Sequence, residues 1–199
     1  MIQNWRTIAT IFTLSLLLSC SLSAQIHLEN PSFEDPADDA TVPTGWHPCK
    51  QGTTPDILPG SWGVQQEASD GETYMGLITR ADGTWESVGQ RLRKPLKAKD
   101  CYTFSLDLSR SDAYAGYVLP LKLVVWGGRK RCSKDQKLGE TELIKHTEWK
   151  NYKFQFVPKA QINYIIFEAQ YMDGIYFSYE GNILLDACSA IFSCQRASL

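Results

Sequence analysis

Apolar and polar residues alternate with a period of two along much of the chain. Tyr102, Phe104, Leu106 and Leu108 alternate with Cys101, Thr103, Ser105 and Asp107. Tyr152, Phe154 and Phe156 alternate with Asn151, Lys153 and Gln155, and Leu121, Leu123 and Val125 with Lys122, Val124 and Trp126. Such alternation puts one set of side chains in a core and the other in water, as in an antiparallel strand covered on one face. Segments 73–79, 86–92, 162–171 and 182–191 complete the strand candidates. Asp70-Gly71, Asp82-Gly83, Gly127-Gly128, Asp173-Gly174 and Gly181-Asn182 are turn signals between them. Nothing after residue 25 carries a convincing helical period. About eight or nine short strands so punctuated predict an all-β fold, a jelly-roll β-sandwich of two antiparallel sheets. Residues 35–70 hold more than half of the nine prolines and read as long loops across the sandwich.

The N-terminus is different. Arg6, the apolar run 8–18 and the small residues of 19–24 form a secretory signal peptide over residues 1–24, too short to span a bilayer. Cleavage after Ala24 leaves one domain over 25–199. A rival cleavage before Cys20, in Leu-Leu-Ser-Cys, would make a lipoprotein. No other stretch reads as a transmembrane segment, so the protein is expected to be secreted, periplasmic or at the cell surface. Without Arg6 the mature chain has 19 basic and 22 acidic residues, a net charge of −3. That balance excludes the strongly basic surface of a nucleic-acid binder.

Five of the six cysteines follow the signal, where disulfides persist. Strands 101–109 and 119–127 read as consecutive antiparallel neighbours, with Cys101 opposite Gly127 and Cys132 five residues further on. A Cys101–Cys132 disulfide is therefore expected, with two buried free thiols as the alternative.

The segment Leu28-Glu-Asn-Pro-Ser-Phe-Glu34, followed by Pro43-Thr-Gly-Trp46 and closed by Asn182-Ile-Leu-Leu-Asp186, resembles carbohydrate-binding-module-like domains with the galactose-binding fold. Residues 54–64, 70–76, 83–92 and Trp126-Gly-Gly128 resemble a module of bacterial cell-surface proteins that often precedes an anchoring or sorting domain. The resemblance implies a structural calcium between Glu34 and Asp186, with Asp70 a further ligand, since calcium takes several oxygen donors. The alternative is that Glu34 caps a turn and Asp186 binds a loop.

Sugars present flat apolar faces edged with hydroxyls, and aromatic rings with a few polar groups recognise them. Trp62 and Trp85 fall in loops, and Trp126 lies in the polar phase of its strand; Arg80 and Glu86 are the polar candidates beside them. For any one of these rings core packing is the competing role, and Trp46 and Trp149 read as core. The sequence has no Gly-x-Ser-x-Gly elbow, His-Glu-x-x-His pair or phosphate loop. Basic runs at 91–99 and 129–137 are candidates to touch an acidic polymer or to be merely solvated. The expected function is a noncatalytic glycan-binding or adhesion module. A structural or protein-interaction module of the cell envelope is the alternative, and a glycan-cleaving enzyme built on carboxylates such as Glu72 and Glu86 a third.

Overall fold

A computed structural model describes residues 25–194, so the signal segment and Cys20 lie outside the described residues. Thirteen strands follow in chain order. They are β1 (Gln25–Ile26), β2 (His47–Pro48), β3 (Asp56–Leu58), β4 (Tyr74–Thr79), β5 (Ser87–Leu96), β6 (Cys101–Ser109) and β7 (Leu119–Pro120). Then come β8 (Lys122–Gly128), β9 (Gln136–Glu140), β10 (Lys150–Phe156), β11 (Ile162–Gln170), β12 (Gly181–Asp186) and β13 (Ile191–Cys194). No helix occurs among the described residues.

The strands form two sheets. The eight-stranded sheet runs β1-β13-β6-β12-β4-β3, with β10 also on β6 and β7 on β12. The five-stranded sheet runs β2-β5-β11-β8-β9. All pairings are antiparallel except that of β7 with β12. One edge of β6 carries β10 over its whole length; β13 and β12 share the other, at 101–103 and 107–109. Ser189 bridges the gap between them, its N–H donating to Ser105 O and its hydroxyl accepting from Ser105 N–H.

The two-residue period has the physical consequence expected of it. Tyr102, Phe104, Leu106 and Leu108 from β6 meet Leu121, Leu123 and Val125 and the inner phase of β11, Ile165, Phe167 and Ala169, in one core between the sheets. Trp46 closes that core, packed at a tilt between Phe33 and Phe167. A second, smaller core lies outside the eight-stranded sheet. There Leu58, Tyr74, Ile78 and Leu184 are covered by Val64, Tyr114 and a half-buried Trp149.

The expected neighbour relation of strands 101–109 and 119–127 does not hold. β6 and β8 lie in opposite sheets and face each other across the core. The Cys101–Cys132 disulfide falls with it. Cys101 bonds to Cys194, directly opposite it in β13, and Cys132 to Cys49. Cys188 is free and buried.

Candidate functional site

The outer face of the five-stranded sheet is built from the second phase of each strand. Ser87, Gly89 and Arg91 of β5 stand opposite Glu168, Ile166 and Tyr164 of β11, which stand opposite Val124, Trp126 and Gly128 of β8. This face is only partly open, because Ile166, Val124 and Glu168 are buried. The cover is a strap, residues 129–135, which leaves β8, folds back and is tied by Cys132 to Cys49 beyond β2.

Two glycines make that fold-back possible. A Cβ on Gly128 would lie 2.0 Å from the Ser133 carbonyl oxygen, so only glycine lets the strap close onto its own strand. A Cβ on Gly89 would lie 2.8 Å from Cys49 Sγ and 3.2 Å from His47 Nε2, so glycine again lets the disulfide rest on the sheet. The strap's far end is held by an ion pair from Lys134 to Glu168, whose other oxygen accepts from Trp126 Nε1 at 3.1 Å and from Gln170 Nε2 at 2.5 Å. Burial and the nearby charge of Arg131 lower the His47 pKa, so the ring is neutral beside the disulfide.

Along this face towards Trp85 the surface opens into a groove of about 460 Å³, lined by Trp85, Gln170, Tyr171 and the 172–178 segment. Tyr171 is fixed by donating its hydroxyl to Arg80 O at 2.8 Å and Thr84 O at 3.1 Å, and its ring meets Trp85 edge-on. Tyr179 anchors the rear of the loop: Met172 N–H donates to its hydroxyl, which donates to Pro120 O. In front of these anchors Tyr176 is 101% exposed and Phe177 71%. Lys50 caps one side of Trp85, its ammonium 2.7 Å from the ring centroid. Trp85 Nε1, His47 Nε2 and Ser87 Oγ are buried polar atoms without a hydrogen-bond partner, and all three belong to this face or its groove. Unpartnered buried polar groups are costly.

The structure thus brings Trp85 and Trp126 to one face and sets Trp62 apart. Trp62 is 48% exposed, but it sits beside the small outer core of the eight-stranded sheet, its carbonyl accepting from Ala115 N–H. Glu86 does not reach out to a ligand. It is buried where the chain crosses from β4 to β5, accepting from the Thr54 and Ile78 N–H groups and from Arg80 at 2.7 Å. Burial pushes its carboxyl up, while those donors and the Arg80 charge pull it down. Arg80 is therefore occupied by Glu86, and shapes the groove through its backbone carbonyl. Tyr176 and Phe177, the most open rings at the groove, did not stand out in the sequence. Their signal was an aromatic pair just after Asp173-Gly174, outside any alternating segment.

The expected calcium ligands each hold backbone N–H or hydroxyl donors. Asp186 is fully buried and accepts N–H groups from Ser69 at 2.7 Å, Asp70 at 2.9 Å and Ala187 at 2.7 Å. Glu34 accepts the Glu72 and Thr73 N–H groups, and Asp70 accepts the Ser32 hydroxyl at 2.7 Å. Carboxylates ringed by N–H dipoles serve as turn caps, and these three do not converge: among the described residues only His47, Cys49 and Cys132 bring three candidate ligand atoms within 4.8 Å of one another. Both sulfurs of that group are in the disulfide.

No protein-family model matches the chain, and no curated protein matches it. Solved structures do. The K3 cleaved adhesin domain of Lys-gingipain from Porphyromonas gingivalis superposes with a TM-score of 0.55 at 15% identity, over 85% of this chain and 98% of that one. The CBM22-1 xylan-binding domain of Xyn10C from Paenibacillus barcinonensis gives 0.51 at 15% identity, over 83% and 93%. The K1 adhesin domain of the same gingipain gives 0.51 at 12%, over 82% and 96%. The chain therefore has the two-sheet β-sandwich fold shared by carbohydrate-binding modules and cleaved-adhesin domains.

Proposed function

We propose that this protein is a noncatalytic glycan-binding module of the cell exterior, and that its site is the groove bounded by Trp85, Tyr171 and the 172–178 loop. The observation that carries this reading is the exposure of Tyr176 and Phe177 on a loop whose base is rigidly hydrogen-bonded. Exposed rings on a fixed base suit stacking against sugar faces, because little motion is lost on binding. The two disulfides support an extracellular setting. Among the described residues no helix is long and apolar enough to cross a membrane. The fold is shared with a xylan-binding domain, which makes polysaccharides the first ligands to try.

Affinity electrophoresis against a panel of soluble polysaccharides tests the reading. Wild type should be retarded by at least one, and Tyr176→Ala and Trp85→Ala should each weaken binding about tenfold. Equal retardation of both variants and wild type would remove the groove from the reading. A second reading, a protein-interaction module, is favoured by one observation: Val118, Leu119 and Phe177 are exposed at 38%, 46% and 71%. Leu119 and Phe177 line one apolar recess. Under that reading no polysaccharide binds.

A further inference from the structure

The Cys49–Cys132 disulfide draws positive charge together along the outer face, with Lys50 over Trp85 at the groove and Arg131 beside His47. Lys50 follows Cys49, and Lys130 and Arg131 precede Cys132, so one covalent link draws two basic segments together. Arg129 is paired with Asp135 and Lys134 with Glu168. Lys50, Lys130 and Arg131 have no carboxylate within 4.0 Å among the described residues. The acid that acts on Lys50 is Asp82, whose carboxylate accepts from the Thr84 N–H and hydroxyl. Lys50 and Lys134 repel each other, as do Arg131 and any proton on His47. Like charges gathered over a partly desolvated face are relieved by an incoming anion.

We propose that the groove selects an acidic glycan, a polysaccharide bearing carboxylate or sulfate groups, with Lys50, Lys130 and Arg131 as its anion contacts. This rests on the glycan-binding reading above and narrows it. The division of labour is physical. Tyr176 and Trp85 offer surface to the sugar ring, while Lys50 stands over Trp85, where a ring substituent would arrive. The Arg131 fork suits the paired oxygens of a carboxylate or sulfate. Polyanion capture by exposed cations weakens as salt screens them.

The test measures binding of polygalacturonate, chondroitin sulfate, neutral xylan and polyglutamate at low and high sodium chloride. Wild type is compared with the triple variant Lys50→Gln, Lys130→Gln, Arg131→Gln, its fold checked by circular dichroism. The expected result is that at least one acidic polysaccharide binds, and that high salt and the triple variant each weaken it about tenfold or more. Because chondroitin sulfate bears both groups, binding of polygalacturonate shows that carboxylates suffice, and binding of chondroitin sulfate that is lost on desulfation assigns the contact to sulfate. The inference is overturned if only xylan binds, if the triple variant binds the acidic polymer as wild type does, or if polyglutamate binds equally well. The first of these leaves the glycan-binding reading standing. Failure of all three polysaccharides to bind removes both.

Discussion

Glu86 shows why a carboxylate near candidate aromatics in sequence need not touch a ligand. Its oxygens hold the Thr54 loop, the β4 backbone and Arg80 together, at 1% exposure. Replacing it with alanine leaves two backbone donors without acceptors and a partly covered guanidinium without its carboxylate. Glu86→Ala should cost about 3 kcal/mol by urea denaturation, and Glu86→Gln distinctly less. Asp186 carries a pH signature. Burial pushes its carboxyl up to about 6, against the pull of three backbone N–H groups. The folded state then binds this proton more tightly than the unfolded chain. The resulting stability is fully present below the unfolded value near 4 and is lost as pH rises through about 6. Between pH 5 and pH 7 the unfolding free energy of wild type should fall by about 1 kcal/mol more than that of Asp186→Asn. Equal slopes for the two proteins would refute the assignment.

At the scale of elements, the faces of β6, β8 and β10 were legible because side-chain alternation is local. Pairing was not legible, because it is decided by contacts distant in sequence. The link from β6 to β8 is no hairpin: it runs outside the eight-stranded sheet, buries Tyr114 there, and delivers β8 to the other sheet. The same nonlocality hid the disulfides, which close separations of 83 and 93 residues. Cys194 sits in a four-residue strand too short to show alternation. The two bridges should separate experimentally. Cys101→Ser with Cys194→Ser should lower stability by about 3 kcal/mol and leave the groove's binding intact. Cys49→Ser with Cys132→Ser should cost a similar amount and also weaken binding, because the strap is released. Gly128→Val should reproduce that weakening with both disulfide pairs of cysteines present. If Gly128→Val binds as wild type does, the strap has no part in the site.

At the scale of the whole molecule, a two-sheet sandwich could be read from the period and the turns. The composition of its surface could not. Trp62 and Trp85 look alike in sequence, both in Gly-rich loops, yet one lies outside the eight-stranded sheet and the other at the groove beside the five-stranded one. Which face a loop residue joins depends on where the chain crosses between sheets, and no local pattern marks the crossings. The carboxylates Glu34, Asp70 and Asp186 do gather loops around the opening and closing segments, but as acceptors for N–H and O–H donors. The thermal midpoint in millimolar calcium should therefore match that in EGTA to within about 1 °C. A clear rise with calcium would show that these caps rearrange around the ion, since binding to the native state alone raises its stability.

The short pairing of β1 with β13 sets Gln25 opposite Phe192. Head and tail of the described chain thus leave side by side from the eight-stranded sheet, with the groove on the far side. A circular permutant, its old ends bridged by a few glycines and its new ones opened within the 110–118 link, should keep the same sheet order. By the same geometry, tethering through either end of the described chain would leave the groove facing away from the point of attachment.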